Sequence, residues 1–111
     1  MDDIKKSFIV NDEEYLGSIK DIAERTLKYG RITKNGTIII DDKRLAKDDI
    51  LKLCLVIKFI ANKLDESFQQ HVRPSDVIDC LNERVESVGS RLSLLVKSGF
   101  AKKDGYGLYV V

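Results

Sequence analysis

A chain of 111 residues with 43% hydrophobic content is one domain's worth of sequence and can bury one real core. Its 19 basic and 18 acidic residues leave a net charge of +1, so no overall basic excess points to nucleic acid or anionic lipid. The opening MDDIKKSFIV lacks the apolar stretch of a secretory signal, and the most apolar run, residues 46–64, is interrupted by Lys52 and Lys58 where a spanning helix needs about 20 apolar residues, so a cytoplasmic protein without membrane contact is expected.

Taken in order, residues 1–7 carry no period and are expected to be loose. Asn11 can cap a helix, and Glu14 can return the bond as in a capping box. Tyr15, Leu16, Ile19, Ile22, Ala23 and Leu27 then recur at helical spacing, which predicts an amphipathic helix over residues 12–29, slightly weakened by Gly17 and ended by Gly30 in a left-handed conformation. RITKNGTIIID, residues 31–41, reads as a hairpin whose Asn35 and Gly36 suit a type I′ turn. The successive Ile38, Ile39 and Ile40 suggest that both faces of its second strand are covered.

Residues 46–64 form the predicted central helix. Ile50, Leu53, Cys54, Ile57, Ile60, Ala61 and Leu64 fall in one apolar band, and Asp48 and Asp49 suit the positive end of the helix dipole. Leu51, Leu55, Val56 and Phe59 lie outside that band. They require cover, either from the residues before the helix or from a second copy of the chain. Residues 65–72 read as a connection in which Phe68 tucks against the core. Pro74 suits the first turn of a short helix with Val77, Ile78 and Leu81 inward, and a break follows at residues 82–85. Val85, Val88, Leu92, Leu95 and Val96 mark the buried side of a third helix, capped by Gly99. Strand-like runs at 100–103 and 108–111 flank Asp104, Gly105, Tyr106 and Gly107, which predicts a closing hairpin. No flexible linker separates the halves, so residues 1–45 are expected as an extension packed on residues 46–111.

Chemistry-bearing residues are sparse. Cys54 and Cys80 have no CxxC partner and sit at apolar helical positions, where cysteine behaves as a small hydrophobe. His71 is the only histidine, and the pairs Asp41 with Asp42 and Asp48 with Asp49 read as a polar turn and a helix start. No Gly-rich phosphate loop, nucleophile motif or ligand cluster is present, so neither enzyme activity nor a cofactor, metal or small-molecule ligand is expected.

A long helix, a short helix, a tight turn, a second helix ending in glycine and a two-stranded hairpin is the order of parts in a winged-helix domain. The final SRLSLLVKSGFAKKDGYGLYVV is similar to the end of archaeal and bacterial winged-helix regulators, in which an Arg-Leu-x-x-Leu helix runs into a Lys-x-Gly-hydrophobic corner. Here those positions are Arg91, Leu92, Leu95, Lys97, Gly99 and Phe100. The resemblance covers residues 46–111. It implies an α+β fold, a winged helix-turn-helix with an N-terminal helix and β-hairpin extension, whose third helix enters the major groove while the hairpin touches phosphate or the minor groove.

If Val88, Leu92, Leu95 and Val96 point inward, Ser87, Ser90, Ser93, Leu94 and Lys97 point outward, with Arg91 on the shoulder. Small hydroxyls permit close approach to a duplex. Arg91 suits guanine or phosphate, and Lys97, Lys102 and Lys103 suit phosphate. Tyr106 and Tyr109 could stack on a base or simply cover the sheet. Against this, Arg84, Arg91, Lys97, Lys102 and Lys103 are balanced by Asp76, Asp79, Glu83, Glu86 and Asp104. The expectation is a transcriptional regulator or chromatin-associated factor that binds double-stranded DNA as a homodimer through Leu51, Leu55, Phe59 and Leu94. The alternative is a protein-interaction module of the same shape without nucleic-acid binding, which suits the neutral balance and the outward Leu94.

Overall fold

The computed structural model describes residues 5, 9, 11–42 and 44–111; the loose start expected over residues 1–7 therefore lies, Lys5 apart, outside the described residues. The chain is an α+β protein. Its elements in order are α1 (Asp12–Thr26), β1 (Gly30–Ile32), β2 (Ile38–Ile40), α2 (Lys47–Leu64), a 3-10 turn (Pro74–Asp76), α3 (Ile78–Leu81), α4 (Val85–Lys97), β3 (Lys102–Lys103) and β4 (Tyr109–Val110). Among the described residues no helix is long and apolar enough to cross a membrane.

At the N-terminus of α1 Asn11 Oδ1 accepts the Glu14 backbone N–H at 2.8 Å, the cap without the return bond from the Glu14 side chain, and Asp12, Glu13 and Glu14 occupy the positive first turn. The helix stops at Thr26, where the Tyr29 N–H turns back to the Thr26 carbonyl at 2.9 Å. Gly30 is not a left-handed cap. It opens β1, and its role is close approach: a Cβ there would lie 2.8 Å from the Ile39 carbonyl oxygen and 2.9 Å from Ile57 Cδ1.

The first hairpin also departs from expectation in its turn. Asn82 is the one described non-glycine residue at positive φ, so Asn35 does not adopt the type I′ geometry; Gly36 alone turns left-handed, at φ 88°. Gly36 N–H donates to the Thr33 carbonyl at 3.0 Å and Thr33 N–H to the Thr37 carbonyl at 2.9 Å. This is a three-residue loop closed by a glycine bulge. Ile38 and Ile40 face the core, whereas Ile39 is exposed, so the second strand is covered on one face only.

Helix α2 is buried over more than half its circumference, through Ile50, Leu51, Cys54, Leu55, Ile57, Lys58, Ile60 and Ala61. α1 and the first hairpin pack on one side, while α3, α4 and β4 supply the other. Leu51 and Leu55 are sealed in a cluster with Val72, Val77, Leu81, Val88 and Leu92. They are therefore core residues of the single chain, not the dimer contacts expected of them. Neither the preceding residues nor a second copy is needed to cover them, because the chain's own C-terminal half does so.

The connection after α2 is more ordered than its composition suggests. Asn62 donates to the Phe68 carbonyl at 2.9 Å, and Asp65 accepts the Ser67 N–H and hydroxyl at 3.0 and 2.7 Å. Val72 is fully buried and exchanges two backbone hydrogen bonds with Tyr109, at 2.8 and 2.9 Å. A strand-like bridge thus ties the middle of the chain to its end. The expected single helix from Pro74 is divided at Val77, whose φ of −124° and ψ of 8° separate the 3-10 turn from α3. Asn82 then reverses the chain in the left-handed region, at φ 52° and ψ 47°. At the end of α4, Gly99 takes φ 86°, its N–H bonds the Val96 carbonyl and the Phe100 N–H bonds the Leu95 carbonyl, both at 3.1 Å. That Schellman pattern satisfies carbonyls the helix leaves over. β3 and β4 pair antiparallel, Lys102 opposite Val110 and Lys103 opposite Tyr109.

Candidate nucleic-acid interface

Helix α4 is anchored by Val88, Leu92 and Leu95, all buried, so its opposite surface is fixed outward. At 100° per residue Glu86, Ser87, Ser90, Ser93, Leu94 and Lys97 form one continuous stripe, and all six are exposed. The stripe is open. Ser90 spends its hydroxyl proton on the Glu86 carbonyl at 3.1 Å; Ser87 and Ser93 make no side-chain hydrogen bond with any described residue. Leu94, toward one edge of the stripe, is 62% exposed.

Arg91 is placed differently from expectation. Its Nε donates to Glu83 Oε1 at 2.9 Å and its Nη1 to Asp48 Oδ1 at 2.7 Å, which ties α4 to the turn before it and to the first turn of α2. Hydrogen bonding to Asp48, supported by Glu83, raises its pKa above the ordinary arginine value. The guanidinium is a clamp, not a free finger. Glu83 is the inner partner, also bound by Lys47 at 3.2 Å. Arg91→Ala should therefore destabilise the fold by about 1–3 kcal/mol in urea unfolding, since it strips a half-buried carboxylate of a charge-assisted partner. Arg91→Lys should recover only part, because an ammonium cannot span two carboxylates as the planar fork does. A loss within about 0.5 kcal/mol, as for an ordinary surface site, would refute the clamp.

The neutral balance of the C-terminal half is unevenly distributed in space. Glu83 is turned to Arg91 and Lys47, Asp76 accepts the Arg73 backbone N–H at 2.8 Å, and Asp104 holds His71 Nε2 at 2.6 Å. Lys97, Lys102 and Lys103 are exposed and pair with no described carboxylate. The hairpin tip carries Tyr106, 98% exposed between Gly105 and Gly107 at positive φ, whereas Tyr109 is buried beneath. Of the two tyrosines, only Tyr106 can meet a ligand.

Of the remaining residues expected at a dimer contact, Phe59 is half-buried with the Lys63 ammonium 5.4 Å from its ring centroid. The two cysteines, read separately in the sequence, are brought together. Hydrogen bonding with Cys80, and then burial, pushes the Cys54 thiol far above the usual range. Cys80 Sγ in turn reaches the Ile38 carbonyl at 3.6 Å. Lys58 escaped the sequence reading, although a signal for it exists: it lies three, four and seven positions after Leu55, Cys54 and Leu51, in a stripe that is buried.

Comparison with family models, curated proteins and solved structures finds no match for this chain.

Proposed function

We propose that the chain is a winged helix-turn-helix protein that binds double-stranded DNA, as a transcriptional regulator or chromatin-associated factor, with the stripe on α4 entering the major groove and the β3–β4 hairpin as its wing. The observation that supports this best is an open, serine-rich helix face beside Lys97, Lys102 and Lys103, none of which pairs with a described carboxylate, while Glu83 is turned away to Arg91 and Lys47 and Glu86 is the one carboxylate on that face. Serines on that stripe can approach backbone or base edges, and the lysines neutralise phosphate. Arg91 serves by holding α4 in place, so base contact falls to Ser87, Ser90 and Ser93.

Fluorescence anisotropy with a random-sequence duplex tests the proposal. With three lysines on phosphate, the logarithm of the binding constant should fall with the logarithm of salt at a slope of about −3, a loss of about fortyfold between roughly 50 and 200 mM. Leu94 favours a second reading, a protein-interaction module, because an exposed leucine on the stripe is unsuited to a polar groove. That reading predicts no duplex binding at any salt.

A homodimer remains part of the proposal, with its surface moved. Only Ile19 of α1 is buried, and Tyr15, Leu16, Ile22 and Leu27 flank it exposed. An antiparallel pairing of two α1 helices would set the acidic Asp12, Glu13 and Glu14 of each copy against Arg25 and Lys28 of the other. Sedimentation at about micromolar concentration should show twice the 12.6 kDa chain mass, and a single species at the chain mass removes the dimer.

A further inference from the structure

Between the turn of the first hairpin, α2 and the 3-10 turn lies a cleft of about 450 Å³, within the size range of small-molecule sites. Lys34, Lys58 and Arg73 line it together with Asp76 and Asp79. Lys58 is the unusual member. It is only 9% exposed, and a lysine buried to that degree normally has a carboxylate partner. Yet Lys58 makes no ion pair or hydrogen bond with any described residue. No sealed side-chain nitrogen or oxygen among the described residues lacks a partner, so the ammonium keeps an opening, and the cleft is the space Lys58 lines.

The charges around the cleft are held apart. Lys34 and Arg73 likewise pair with no described carboxylate, and among the described residues no ion pair crosses to Asp76 or Asp79. One Asp76 oxygen is taken by the Arg73 backbone N–H at 2.8 Å. A cationic set and an anionic set thus share one pocket, with one positive charge in excess.

We infer that this cleft binds a small monoanionic carboxylate that also carries a hydroxyl group. Its oxyanion is held by Lys58 with Lys34 and Arg73, where charge-assisted hydrogen bonds supply the partner that the Lys58 ammonium, opening on the cleft, lacks. Its donor group is accepted by Asp79 and the remaining oxygen of Asp76. Those two carboxylates repel a polyanion, so the cleft is distinct from the proposed duplex-binding stripe and does not depend on that reading.

The test is a titration of the full chain, followed by amide proton–nitrogen correlation spectra, with sodium glycolate, sodium acetate and sodium chloride at matched ionic strength. Glycolate should produce saturable shifts at the Gly36 and Gln69 amides, which border the cleft, with a dissociation constant of about a millimolar. Acetate, lacking the hydroxyl, should bind several-fold more weakly. Lys58→Met keeps the apolar stem, and it should weaken glycolate binding about tenfold or more. Should that variant fail to fold, Lys34→Ala combined with Arg73→Ala, both at the rim, should show a loss of similar size. Shifts that do not saturate, that match those with chloride, or that persist at undiminished affinity in the variants overturn the inference. Lys102→Ala with Lys103→Ala should leave the glycolate titration unchanged, which separates this site from the duplex surface.

Discussion

Leu51→Ala lowers the stability of the single chain by about 3–5 kcal/mol, and by the same amount at every protein concentration. Leu51 is fully buried, among the largest side chains sealed in the molecule, and truncation removes its transfer free energy and leaves a cavity. Its surroundings cannot collapse easily, because Val72 is fixed by two backbone bonds to Tyr109 and α4 is held through Leu92 and the Arg91 clamp. A loss of that size is a large share of the roughly 5–15 kcal/mol that stabilises a domain, and should lower the melting temperature by about 15 °C or more. Independence from concentration separates a core residue from an interface residue, since a contact between two copies would link stability to mass action. A melting point that rises with protein concentration in the wild type, and loses that dependence in Leu51→Ala, would return Leu51 to an interface.

Replacing Lys102 and Lys103 together by alanine weakens binding to duplexes of every sequence alike, by about tenfold at moderate salt, and reduces the salt slope by about 2. Both side chains are exposed on β3 and neither pairs with a described carboxylate, so their removal costs the fold little. The variant should melt within about 3 °C of the wild type, which ties lost binding to lost charge and not to unfolding. Ser87→Ala and Ser90→Ala on α4 should instead alter which sequences are preferred, with the slope unchanged. Equal slopes for wild type and the double lysine variant would remove the hairpin from the interface.

Local features were legible because their partners lie within a few residues. Asn11 caps α1 through Glu14, three residues on, and Gly99 closes α4 through Val96 and Leu95. Pro74 opens a helical turn with the missing N–H where none is needed. The inward face of α4 followed from spacing except at Val85, which the first turn of the helix leaves exposed, and with it came the outward stripe of serines. Spacing carries a signal for Lys58 as well, which repeats with Leu51, Cys54 and Leu55, but a lysine in such a stripe only interrupts the apolar pattern until the fold shows the pocket it lines.

What the order of amino acids determined by itself was the set of elements, their polarity and most of their ends, since each depends on bonds and periods spanning one or two helical turns. The tertiary structure decided the partners. Which side of α2 meets α4 placed Leu51 and Leu55 in the core; the approach of α2 to α4 turned Arg91 from an outward cation into a clamp on Asp48 and Glu83. The same packing set Cys54 beside Cys80, 26 positions away, and Val72 against Tyr109. A charged or apolar side chain has many possible neighbours of the right chemistry along the chain, and only the folded path brings one of them within reach.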